Sequence, residues 1–360
     1  MKWLNKIWGG FSTVVLGNKA YTPAMDIRGF MMDSNQGTVG EQLPLFEDQY
    51  MLLNCGSLEL KKLNLEEAKK AFQRYKDLYK DGDDINDKLK ITDFLIQGFA
   101  NAPGACPDEP AYLYGLWNSF EDFVKSIRFE SDNIVSEIKN SFFQKLLASV
   151  DRCNLADAPY LSDNIPMGYV YMQTGKYDLA IKSLQSCILA TPENATIYGY
   201  LGDAYMLRGQ ADIARQCYLE ACLNSPSDMD WGHVKDKQLL KLRDQLIETF
   251  DMNESLASEW LPSYAYIQGL FKPKAIRLNE ELKKFVGEYM ALRKAYLKEP
   301  TPDLEPKLFI RAIILCDNET FMKLIKGIDF IDVRRQMKDM NSSLFSRYMK
   351  YIESRNQHKG

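Results

Sequence analysis

GYVYMQTGKYDLAIKSLQSCILATPENATIYGYLGDAYMLRGQADIARQCYLEACLNSP, residues 168–226, decides the fold. Shifted by 34 residues, this region matches itself: Gly168 falls on Gly202, Tyr171 on Tyr205, Gly175 on Gly209, Ala180 on Ala214 and Pro192 on Pro226. A fixed period of this length marks a stacked structural repeat. Each half reads as two amphipathic helices joined by a tight turn. Gly175 and Gly209 suit the turn, because glycine takes positive φ without steric cost. Gly168 and Gly202 fall inside the first helix of each pair, where glycine costs about 1 kcal/mol of helix propensity. A second helix packed closely there offsets that cost, and Ala180 and Ala214 are the small residues expected to face the glycines. Pro192 and Pro226 stop the second helices.

Residues 195–228 carry Tyr198, Leu201, Gly202, Tyr205, Gly209, Ala214, Tyr218, Ala221 and Pro226. Residues 161–194 carry Met167, Gly168, Tyr171, Gly175, Tyr177, Ala180, Leu184 and Pro192, with Asn164 where an aromatic is usual. On these residues the region resembles the tetratricopeptide repeat (TPR) family. A degenerate third copy lies upstream on Leu52, Gly56, Leu65, Ala68 and Phe72, with Leu63 in place of the turn glycine; a plain helical hairpin is the alternative. The resemblance implies an all-α, helical-hairpin solenoid with additional flanking helices, and a non-catalytic adaptor or assembly factor that binds another protein, peptide or helix. It also implies that the first helices line a concave face. Here that face would include Ser162, Ile165, Tyr169, Met172, Gln173, Thr196, Gly199, Asp203, Met206 and Leu207. Ile165 and Tyr169 stand where family members that clamp acidic chaperone tails have Lys and Asn, so no carboxylate clamp is implied. Two occupants fit the face: a partner, or another helix of this chain.

Working outward, the chain divides into 1–45, a segment with an amphipathic stretch and a loop; 46–100, a helical hairpin; 101–160, a helical region; 161–228, the paired hairpins; 229–267, a capping helix and linker; and 268–360, a C-terminal helical region. Leu239, Leu242, Leu246 and Phe250 lie on one face of 234–250, where a solenoid needs a cap. No stretch shows sustained alternation, so no sheet is expected. In MKWLNKIWGGF, Trp3, Leu4, Ile7, Trp8 and Phe11 share a helical face opposite Lys2, Asn5 and Lys6. That face suits a membrane surface or a partner, which gives a second reading as a membrane-peripheral organiser; docking on its own domain is the plainer one. The stretch begins like a signal peptide, but Gly9, Gly10, Ser12 and Thr13 break its apolar part, so it reads as uncleaved.

Across 360 residues, 46% are apolar and 26% charged, enough to bury a core. The net charge of −4 gives no reason to expect nucleic acid. The basic surplus of 270–360 reads as solvated helix faces. Seven scattered cysteines without a CxxC pair suggest buried thiols in a reducing, cytoplasmic setting rather than a disulfide framework or zinc site. No phosphate-cradling loop, HExxH or GxSxG occurs, and Asp77–Lys88 departs from a calcium loop at Tyr79 and Lys88. The reading is therefore no metal, no cofactor and no catalytic set. A subunit of an enzyme, or an enzyme of unfamiliar kind, is the third alternative; the sequence does not indicate an oligomeric state.

Overall fold

The structure, a computed structural model, describes residues 43–79, 83–129, 131–162, 165–272, 280–318 and 329–357. Trp3, Leu4, Ile7, Trp8, Phe11 and His358 lie outside them. The described residues form an all-α solenoid of successive helix pairs. The first helices are α1 (Leu43–Lys61), α2 (Leu65–Tyr79), α3 (Asp83–Ala100), α4 (Asp108–Ser126) and α5 (Asp132–Arg152). The paired hairpins follow as α6 (Met167–Gln173) with α7 (Tyr177–Ala190), and α8 (Ala195–Leu207) with α9 (Ala211–Asn224). A 3-10 turn at Pro226–Asp228 leads to α10 (Lys237–Phe250) and α11 (Glu254–Ile267). The chain ends with α12 (Glu280–Lys298), α13 (Leu304–Asp317), α14 (Phe330–Met340) and α15 (Ser342–Gln357).

What draws the two helices of a hairpin together is a missing side chain. A Cβ built on Gly202 would stand 2.6 Å from the ring of Tyr218; on Gly168, 2.4 Å from Cγ of Leu184; and on Gly56, 2.5 Å from the ring of Phe72. No real Cβ tolerates such distances, so each glycine is a notch that a large side chain fills. In all three pairs the large residue follows sixteen positions later. The expected small residues, Ala180 and Ala214, are thus joined by a larger neighbour that fills the notch. Both are fully buried, but Ala180 reaches its notch only through its carbonyl oxygen, 2.9 Å from the built Cβ. The residue filling each notch lies four positions beyond the alanine, on the same helix face one turn on.

The turns behave as glycine turns should. Gly175 (φ 74°) and Gly209 (φ 80°) are left-handed, and Leu63 takes the same conformation (φ 63°) where the upstream hairpin lacks glycine. A side chain there costs about 1–2 kcal/mol, and Leu63 recovers part of this by packing against the core.

Two expectations fail locally. A two-stranded antiparallel hairpin, β1 (Tyr160–Ser162) and β2 (Ile165–Pro166), replaces the start of the first repeat helix. Pro166 is the cause: it disfavours helix at the residue before it, so Ile165 is extended and α6 begins only at Met167. Second, Cys106 and Cys153 are disulfide-bonded, with Cα atoms 5.4 Å apart. The turn-rich break after α3 returns to the end of α5, where Arg152 also pairs with Glu109. A contact across 47 residues cannot be read from cysteine spacing. Cys187, Cys217, Cys222 and Cys316 are buried thiols, and Cys55 is exposed.

Toward the C-terminus α11 is buried on all sides from Ala257 to Tyr266. Asp317, closing α13, accepts hydrogen bonds from Tyr266 Oη (2.8 Å) and Arg355 Nη1 (2.5 Å), which fasten α15 to α11.

The notch model makes glycines in helices behave in opposite ways. Gly115 in α4 has open space around it, so Gly115→Ala should stabilise by about 0.5–1 kcal/mol. Gly202→Ala gains the same propensity but overpacks Tyr218, for a net loss on the order of 1–2 kcal/mol. Urea unfolding of both variants measures the two signs.

Candidate functional site

The first helices α6 and α8 present the face on which the sequence places a partner. Part of it is covered by the chain itself. After α9 the 3-10 turn reverses the backbone, and Met229–Asp236 runs back over both helices as an irregular strap before α10 begins. Pro226 starts this reversal, and its carbonyl oxygen accepts the indole N–H of Trp231 at 2.9 Å.

The strap meets the face at four places. Thr196 Oγ1 donates to the carbonyl oxygen of Asp228 (2.7 Å) at its entrance. Tyr200 Oη donates to Asp230 Oδ2 (2.9 Å). Tyr169 Oη lies 2.8 Å from His233 Nε2. Asp203 Oδ1 accepts the main-chain N–H of Lys235 (2.8 Å). His233 Nδ1 lies 2.8 Å from Asp230 Oδ2. That approach is an ion-pair contact without hydrogen-bond alignment; with the proton on Nδ1, Tyr169 donates to Nε2. His233 holds Asp230 below the usual carboxylate range, with burial opposing. Met229 and Val234 are buried between these contacts, and the exit is clamped where Arg215 Nε donates to Asp236 Oδ2 (2.7 Å). On the outer side the Arg243 guanidinium covers the Trp231 ring, 5.3 Å from its centroid.

Tyr169 is the centre of this arrangement. Its ring packs edge-on against Tyr114 and Phe143 and tilts against Tyr200, at centroid distances of 6.1, 6.3 and 4.9 Å. Burial pushes the Tyr169 and Tyr200 phenols well above their ordinary value, so both remain O–H donors. Asp203, 1% exposed, is pushed up to about 7, first by burial; the Tyr218 hydroxyl (2.5 Å) and the Lys235 N–H work against the rise.

The residues read from sequence therefore separate. Tyr169, Thr196 and Asp203 meet the strap or its entrance. Met172 is buried in the core. Ile165 and Ser162 sit on the short strands rather than on a helix. Met206, half-buried, and Leu207, exposed, end α8 beyond the strap. Tyr200, Asp230, Trp231 and His233 were not singled out for the face. A usable signal existed: DMDWGHV places two carboxylates, an indole and one of the chain's two histidines in a loop straight after the repeats. Among the described residues no group of three or more His, Cys, Asp or Glu is placed to hold a metal ion.

A family model described as TPR repeat matches residues 168–209. The chain carries tetratricopeptide repeats. The match runs from the notch glycine of α6 to the turn glycine after α8, and thus covers most of the face-forming region. TPR repeats generally mediate binding to other proteins or peptides and are generally non-catalytic. No curated protein and no solved structure matches the chain.

Asp203 gives the TPR hairpin a pH dependence whose sign is fixed. Its folded-state value, about 7, lies above the ordinary 3.8, so its favourable contribution is full below 3.8 and is lost as pH rises through 7. Asp203→Asn keeps an oxygen for Tyr218 and Lys235 but does not ionise. Denaturant titrations should show the variant gaining on the wild type steadily between pH 4 and pH 8; a constant difference would contradict the assignment.

Proposed function

We propose that this protein is a non-catalytic adaptor or assembly factor that holds another protein, as a peptide or a helix, on the concave side of its TPR hairpins. The observation that supports the reading is the pair of hairpins stacked side by side, whose first helices bring Tyr169, Thr196, Tyr200 and Asp203 to one polar face. That face already accommodates a non-helical segment, the strap, through side chains that address main-chain and side-chain polar groups together. At the end of α8 the face continues into open surface. Leu207 is exposed there, and the Arg208–Asp178 ion pair (2.8 Å) ties the α8 end to the start of α7 beside exposed Leu179. Exposed apolar side chains around a fixed ion pair suit a partner's apolar anchor with a polar rim. The non-catalytic part of the reading is supported by His233, the histidine of the face. Its Nε2 is held by the Tyr169 hydroxyl and its Nδ1 lies against the Asp230 carboxylate, both within the fold.

Among the described residues no helix is long and apolar enough to cross a membrane. A cytoplasmic setting is supported by the five free cysteines and opposed by the Cys106–Cys153 bond. Thiol counting by alkylation and mass spectrometry on protein taken from its own cells decides between them: seven reactive thiols after denaturation support a reducing compartment, and five an oxidising one.

The adaptor reading is tested by crosslinking capture from the native source, comparing wild type with Met206→Glu plus Leu207→Glu. Both positions lie at the open end of α8, so the fold should persist by circular dichroism. A stoichiometric partner captured by the wild type should fall by tenfold or more with the variant, since charges replace an apolar contact worth about 1.5–3 kcal/mol. Equal capture would count against this face.

A further inference from the structure

The strap Met229–Asp236 has the position and chemistry of a bound ligand. It forms neither helix nor strand between the 3-10 turn and α10. Its inner groups are each received by a first-helix residue of a different position: an acidic side chain by the Tyr200 hydroxyl, a ring nitrogen by the Tyr169 hydroxyl, and a main-chain N–H by the Asp203 carboxylate. The strap's Met229 lies over α8 at Gly199, its Cε 3.8 Å from where a Cβ would stand. The strap's outer side is only partly covered: Arg243 lies over the Trp231 ring, Gly232 is exposed, and His233 is half-buried. Its two ends are held independently, by Thr196 at Asp228 and by Arg215 at Asp236. The segment between can therefore lift while α8, α9 and α10 keep their own hydrogen bonds.

We propose that this strap is an internal competitor for the concave face, and that a partner gains the face by supplying the same pattern: an acidic residue, a histidine or other ring acceptor three positions on, and then an extended stretch beginning with a β-branched residue. This rests on the adaptor reading and adds its regulation and the chemistry of its partner. The donors and acceptors of the face explain the selectivity. Tyr200 donates to an acidic side chain, Tyr169 meets a ring nitrogen, and Asp203 accepts a main-chain N–H. A regular helix would have no free N–H in its interior for Asp203. The occupant that fits is a turn followed by extended chain, which is the form of the strap itself: His233 N–H bonds back to the Asp230 carbonyl oxygen (3.0 Å), and the backbone of Asp236 is extended.

The test uses the full chain and one probe, a fluorescent synthetic peptide of residues 227–236, SDMDWGHVKD, followed by anisotropy. The strap is weakened from its own side by Asp230→Ala plus His233→Ala, which leaves Tyr169, Tyr200 and Asp203 unchanged. The weakened protein should bind the peptide at least tenfold more tightly than the wild type, and adding Tyr200→Phe should reduce that binding about tenfold, as expected for a hydrogen bond to a carboxylate. Equal binding to wild type and weakened protein, no binding to either, or indifference to Tyr200→Phe would each overturn the proposal. A second measurement needs no variant. In wild-type hydrogen exchange, the Lys235 amide should exchange by local opening, faster than the amides of Leu201 and Tyr205 within α8; exchange of all three only with global unfolding would overturn it too. Loss of capture with the Met206 and Leu207 variant, together with failure of the peptide arm, would reject the strap proposal while leaving the adaptor reading in place.

Discussion

A glycine in the first helix of a hairpin and a large side chain sixteen residues later set the distance between the helices, and the rest of the molecule follows from that distance. Without a Cβ at position 202 the ring of Tyr218 lies directly on the α8 backbone. The Tyr218 hydroxyl is thereby carried across to Asp203 on the same helix. One aromatic side chain thus closes the hairpin with its ring and fixes a buried carboxylate with its oxygen. The carboxylate in turn holds the main chain of the strap. Packing inside the repeat and the chemistry of its concave face are consequently one system, and a change to the notch would be felt at the strap.

The first-helix face is polar where it is covered and apolar where it is open. Under the strap the working groups are two phenols and a carboxylate, Tyr169 and Asp203 buried and Tyr200 half-buried, each with a defined partner; at the end of α8 the surface passes to Met206 and Leu207. Buried polar groups without partners are costly, so the covered part requires an occupant, whereas the exposed leucine does not. This asymmetry is why the strap is better regarded as a ligand carried in cis than as a loop that happens to cross a groove. The five-ring cluster of Tyr114, Phe143, Tyr169, Tyr200 and His233 supports the same part of the face from beneath, joining α4 and α5 to the repeats.

Much of the fold was legible because the signal was periodic. Identities at 34 residues placed both hairpins, and the turn glycines predicted left-handed backbone where it occurs. Size matching points to alanine opposite glycine, but crossing helices also bring the next residue of that face, Leu184 or Tyr218, into the gap. The extended start of the first repeat is also legible in principle, since Pro166 restrains Ile165. Long-range facts were not legible at all. Nothing in the spacing of seven cysteines selects Cys106 and Cys153, and nothing in the composition of 229–236 says that it turns back over α8. Both depend on how helices dozens of residues apart are stacked.

The most direct test of the account is the contact on which it stands. In a nuclear Overhauser spectrum of protein labelled at glycine and aromatic residues, the account predicts strong cross-peaks between the α-protons of Gly202 and the ring protons of Tyr218, and between those of Gly56 and Phe72, with the glycine protons shifted by the rings above them. Absence of both cross-peaks in the folded protein, with the glycine protons at ordinary helical positions, would contradict it.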